Sequence, residues 1–173
     1  MFPSTDATGR TVLLEGNLTV GDTMAGATHT NVHKAITKYG HAVVTTMGRV
    51  PYAYTVGLTR PLGFELLMYG VVGDLAFMLL NNAADALNRQ CYEDGEDISK
   101  VIESHSVRLR SLLVGSNPDL MWRLSMIWSF GFSPDRIRVV TWKDEAGRFP
   151  GEPGYSHEVK QTISELKLKL GFN

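Results

Sequence analysis

Arg148 stands in the segment Gly147-Arg148-Phe149-Pro150, inside a loop with two prolines and three glycines between 147 and 155. A guanidinium on so stiff a loop loses little entropy when it grips a carboxylate or phosphate, which makes Arg148 the strongest single choice for an anion ligand. The competing reading is that it pins its own loop to the fold. Glu65 lies between Phe64 and Leu66 at the start of an apolar run. If its face is buried it needs a partner, because a bare carboxylate in the interior is costly. Arg148 is the cation its loop would bring there, and a buried Glu–Arg pair serves architecture as readily as chemistry. Tyr54 and Thr55 sit mid-strand, where a phenol or hydroxyl donates either to a ligand or to a neighbouring strand. Glu65 and His41 are the weak choices for a catalytic acid or base, and for His41 the titration range near neutrality is the argument.

Other polar groups carry less. His29 and His33 have the i, i+4 spacing that suits zinc on a helix. A cap at Thr30 or Asn31 would leave His29 outside the helix, and no Asp, Glu or Cys companion is near, so no metal is expected. His157 opens a terminal helix, where the dipole lowers its pKa, yet no Ser-His-Asp spacing accompanies it. The Glu93-Asp94-Gly95-Glu96-Asp97 turn lacks the ligand order of a calcium loop, and Gly70-Val71-Val72-Gly73 lacks the length and the Lys of a phosphate loop. Trp122 and Trp128 are of a type that stacks on bases, but their apolar neighbours point to core. No cofactor is expected.

A chain of 173 residues is long enough for one domain with a real core. With 43% apolar and 20% charged residues and a net charge of −1, nothing in the composition calls for nucleic acid or an anionic membrane as partner. The single Cys91 forms no internal disulfide, and no segment reaches the length of a membrane span. A cytoplasmic, membrane-free protein is the expectation.

The elements that must position these residues follow from periodicity. Residues 1–28 are rich in Gly and Thr and read as an N-terminal arm, either flexible or folded as a hairpin around Glu15-Gly16-Asn17; residues 29–173 read as one domain. A helix over 31–39 buries Val32, Ile36 and Tyr39 and stops at Gly40. HAVVTTM, YAYTVGL and FELLMYG follow, separated by two turn-like segments, and predict an antiparallel meander. A helix over 74–90, a strand at VRLRSLLV, a helix opened by Asn117-Pro118, a strand at RIRVVTWKD and a helix from Ser156 complete the chain. The class is α+β, a mainly antiparallel sheet with helices packed on one face. In YAYTVGL the bulky Tyr52, Tyr54, Val56 and Leu58 alternate with Ala53, Thr55 and Gly57. Either a helix presses on that small face or a ligand does.

Gly40-His41, the segment from Tyr52 to Leu58, Glu65-Leu66, Leu79-Leu80-Asn81, and Trp142-Lys143-Asp144 with Gly147 to Pro150 occur in this order. That succession resembles a bacterial and phage family catalogued only as a domain of unknown function, number four-two-six-two. Phe64 stands where the family's Pro precedes Glu-Leu, Lys143 where a Pro precedes Asp144, and Gly151 where a Trp is expected. The resemblance implies a fold-level grouping and no activity.

Three readings of function are open. The first is a non-catalytic domain that binds a small ligand, anionic or nucleotide-like, or a protein partner, at Tyr54, Thr55, Glu65 and Arg148; a phage origin would suit blocking a host protein. The second is an enzyme on a small anionic or nucleotide-like substrate, with Arg148 holding the anion and Glu65 or His41 as acid/base. It requires those three side chains to converge on one concavity. The third is a homo-oligomer built through VRLRSLLV or the arm.

Overall fold

The computed structural model describes residues 4–5, 11–14, 26–46, 51–71, 73–102 and 105–156. The three apolar segments after Gly40 pair in chain order. β3 (Ala42–Thr46) runs antiparallel to β4 (Tyr52–Val56), with Val44 opposite Tyr54, and β4 antiparallel to β5 (Phe64–Tyr69), with Tyr54 opposite Leu67. The meander is therefore present as expected. Two short strands, β1 (Ser4–Thr5) and β2 (Thr11–Leu14), extend the β3 side, where β2 pairs parallel with β3. So part of the predicted arm is sheet; the turn at 15–17 lies outside the described residues.

On the other side β5 pairs parallel with β8 (Arg136–Trp142), β8 antiparallel with β7 (His105–Leu113), and β7 antiparallel with β6 (Asp97–Ile102). The order is β1-β2-β3-β4-β5-β8-β7-β6. Together with the helices this is a single α+β domain whose sheet is mainly antiparallel.

Helices cover both faces of the sheet, which corrects the expectation of one covered face. α3 (Gly73–Arg89) buries Phe77, Leu80, Ala83, Ala84 and Leu87 against Val43, Ala53, Leu66, Met68, Val107 and Leu109. The opposite face is packed by α1 (Gly26–Tyr39), α4 (Pro118–Arg123) and α5 (Ser125–Ser129), whose Val32, Leu120 and Ile127 meet Val44, Tyr54, Val56, Leu67 and Val139. Double coverage explains why all six residues of β5 are buried: a central strand with helices above and below has no solvent side. Ala53, fully buried under α3, gives the bland answer for that position, since a small side chain lets the helix approach.

Several boundaries differ from the periodicity reading. α1 begins at Gly26, five residues earlier than expected, so His29 and His33 both lie on the helix, and both rings stack on Phe130. The segment after Leu58 contains a one-turn helix, α2 (Thr59–Leu62). The helix from Pro118 is broken at Leu124 into α4 and α5. The predicted helix from Ser156, and His157 with it, lies outside the described residues.

Candidate functional site

β4 and β5 separate beyond the Tyr54–Leu67 pair, and side chains bridge the gap. The Leu66 N–H donates to Thr55 Oγ1 at 2.8 Å, and that hydroxyl donates to Glu65 Oε2 at 2.7 Å. The Glu65 carboxylate accepts four more bonds from one short stretch. Oε1 takes the Gly57 N–H at 2.9 Å, the Thr59 N–H at 2.9 Å and the Thr59 hydroxyl at 2.7 Å; Oε2 takes the Leu58 N–H at 3.2 Å. Three consecutive amides thus converge on one carboxylate, which caps α2 from a neighbouring strand. Glu65 is fully buried. Burial pushes its carboxyl above the ordinary value, and the bonds from Thr59, Thr55 and Gly57 pull in the opposite direction.

Gly57 permits this turn. Its φ is +116°, and a Cβ there would sit 2.8 Å from the Gly40 carbonyl oxygen and 3.1 Å from His41 Cα. The backbone of Gly40-His41 therefore occupies the space a side chain would need. His41, itself 6% exposed, donates from Nε2 to Asn81 Oδ1 of α3 at 2.8 Å. Gly40-His41, Tyr52 to Leu58, Glu65-Leu66 and Leu79-Leu80-Asn81 are distant in sequence, and they meet here at one end of β3, β4 and β5.

The late loop lies elsewhere. Glu65 stands beside Ile137 at the start of β8, and the loop leaves the far end of that strand after Trp142, about 17 Å away at 3.3 Å per residue. Asp144 organises the loop: Oδ1 accepts the Arg148 N–H and Oδ2 the Ser156 N–H, both at 2.8 Å. Those two amides, the Arg148 one first, hold the Asp144 carboxyl below its ordinary value. Phe149 plugs the loop into the fold at 2% exposure, under the Arg108 guanidinium 3.8 Å from its ring centroid. Arg108 in turn pairs with Asp97 and Glu152.

The sequence-predicted residues are thus divided. Thr55 and Glu65 come together, with His41 on the other side of Gly57. Arg148 is exposed and donates to the Gly154 carbonyl of its own loop, so the expected Glu65–Arg148 pair does not form; five neutral donors replace the cation. Glu65 and His41 lie at one end of the central strands and Arg148 beyond the other end of β8, so these three side chains do not converge. Tyr54 is buried at 2% in the core under α1, α4 and α5, beside the Tyr52 ring. Among the described residues no group of three His, Cys, Asp or Glu side chains could hold a metal ion, and no helix is long and apolar enough to cross a membrane.

What sequence reasoning missed is on the surface. Trp122, expected in the core, is 67% exposed, and Met121 beside it is 49% exposed. The signal was available: Leu120 and Leu124 are buried, and position 122 lies about 200° around a helix from 120. The last turn of α4 is anchored to the sheet by Tyr52, whose hydroxyl donates to the Arg123 carbonyl at 3.0 Å.

No curated protein and no solved structure matches the chain. A family model described as a domain of unknown function, DUF4262, matches residues 35–156, which takes in both the buried polar corner and the whole of the late loop. The chain belongs to that family.

Proposed function

We propose that this is a non-catalytic protein-interaction domain that presents Met121 and Trp122 to its partner. The observation that carries the reading is the 67% exposure of Trp122 on a helix turn tied to the sheet by Tyr52. Trp, Met and Arg are the types enriched at interface centres, and Trp and Arg dominate hot spots; here they are consecutive, as Met121-Trp122-Arg123. A rigidly held anchor also lowers the ordering cost of association. The polar residues that suggested a small-molecule site point the other way: Thr55 and Glu65 are engaged with each other and with backbone, and Arg148 with Gly154.

The test is a photo-crosslinking amino acid at position 122, expressed in the native host, with the exposed Lys34 position on α1 as control. Discrete protein adducts at 122 that are missing at 34 support the reading. No adduct at 122, or the same adducts at both positions, contradicts it.

A further inference from the structure

Tyr52, Tyr69 and Arg123 meet at the end of β4 and β5 away from Glu65. Tyr52 stands opposite Tyr69 with the ring centroids 5.8 Å apart, and the Tyr52 hydroxyl donates to the Arg123 carbonyl. The backbone of Arg123 is thereby fixed, and the residue is half-buried. Arg108, Arg138 and Arg148 each engage a carboxylate or carbonyl of this chain through the guanidinium. Arg123 does not: among the described residues its head group meets no acidic partner. Tyr69, 8% exposed, likewise has no hydrogen-bond partner for its hydroxyl among the described residues.

Burial pushes the Tyr69 phenol above its ordinary value, and the Arg123 charge pulls it back only in part. The phenol therefore keeps its proton at neutral pH. Both unengaged groups are then donors, one a charged fork and the other an O–H. A group that answers both must be an acceptor, and one with negative charge makes the stronger bonds. We propose that the protein partner at Met121 and Trp122 supplies an Asp or Glu carboxylate that docks on the Arg123 guanidinium and the Tyr69 hydroxyl. This rests on the reading of Trp122 as an interface anchor and names the chemistry that accompanies it. Consecutive helix positions diverge by about 100°, so the acid sits beside the apolar site that takes the Trp122 ring. Complementary charge at that place fixes the partner's orientation and excludes basic competitors.

The experiment repeats the photo-crosslinking at position 122 of the full chain in its native host, combined with Arg123→Glu, Arg123→Lys or Tyr69→Phe. Thermal denaturation confirms that each variant is folded. The adduct yield should fall at least about tenfold with Arg123→Glu and less with Arg123→Lys, which keeps the charge but loses the fork. Tyr69→Phe should lower it roughly fivefold. Mass mapping should place an Asp or Glu in the crosslinked partner segment, and changing that acid to Arg should restore the yield with Arg123→Glu. An unchanged yield with Arg123→Glu or Tyr69→Phe overturns this inference alone and leaves the Trp122 reading standing. So does a crosslinked segment that has no carboxylate, or one whose anion is a phosphate. No adduct without these substitutions removes both.

Discussion

Replacing Glu65 with Gln exchanges one carboxylate oxygen for an NH₂ group in a fully buried place, so the loss can be worked out donor by donor. The best placement of the amide oxygen is at Oε1, where it keeps the Gly57 N–H, the Thr59 N–H and the Thr59 hydroxyl. The amide nitrogen then faces the Leu58 N–H, donor against donor. It also faces Thr55 Oγ1, whose proton loses its acceptor. The flipped amide is worse, because two backbone N–H groups would face the NH₂. One orphaned buried amide costs about 1–3 kcal/mol, and the remaining bonds lose their charge assistance. Relief from burying a charge offsets part of this. The net expectation is a loss of about 2–4 kcal/mol, which for a chain of this size lowers Tm by roughly 4–16 °C. Glu65→Leu orphans all three amides and should lose more, about 3–6 kcal/mol, although it removes the same charge and is more apolar. Urea and thermal denaturation of both variants measure the ordering. If Glu65 were held for binding or catalysis against the interests of the fold, its removal would stabilise the protein. A Gln variant as stable as wild type, or more so, refutes the capping account.

Other expectations follow from the same structure. Gly57→Ala adds a Cβ against the Gly40 carbonyl at a φ that L-residues avoid, and should cost about 2–4 kcal/mol in urea denaturation. Phe149→Ala should cost about 3–5 kcal/mol, whereas Arg148→Ala, exposed and bonded only to its own loop in the described contacts, should cost under about 1 kcal/mol; equal losses would contradict the division between plug and brace. The two shifted carboxyls have opposite pH signatures. Glu65 is raised from 4.5, so the folded state holds the extra proton above that pH, and stability falls as pH climbs toward its native value. Asp144 is lowered from 3.8, so its contribution is present above 3.8 and disappears as pH falls through its native value. In urea midpoints taken from acid to neutral pH, Glu65→Gln should flatten the first dependence and Asp144→Asn the second.

The meander was legible because its signals are local: alternating apolar residues and two turn segments between Gly48 and Gly63. The covering of both faces was not, since a strand such as Phe64–Tyr69 looks equally apolar whether one layer or two lies over it. β6 escaped detection for a physical reason. Ile98 and Val101 are both buried but three residues apart, because the register with β7 shifts between Ile98 and Ile102, and that irregularity erases the period of two. For Glu65 the need for partners was readable, but their identity was not. The nearest chemistry in type was a cation, yet a turn at Gly57 that aims three amides at one point is a property of backbone conformation, which residue type does not announce. Trp122 was misjudged by its neighbours when the helical period already placed it outward.

The central claim is that the polar corner is architecture and the outward Met121-Trp122 surface is the working part. Native mass spectrometry of the protein taken from its host, with Trp122→Ser and Arg148→Ala in parallel, tests it most directly. The account predicts a heteromeric protein species that Trp122→Ser loses and Arg148→Ala retains. A bound small molecule that survives Trp122→Ser and vanishes with Arg148→Ala would contradict it.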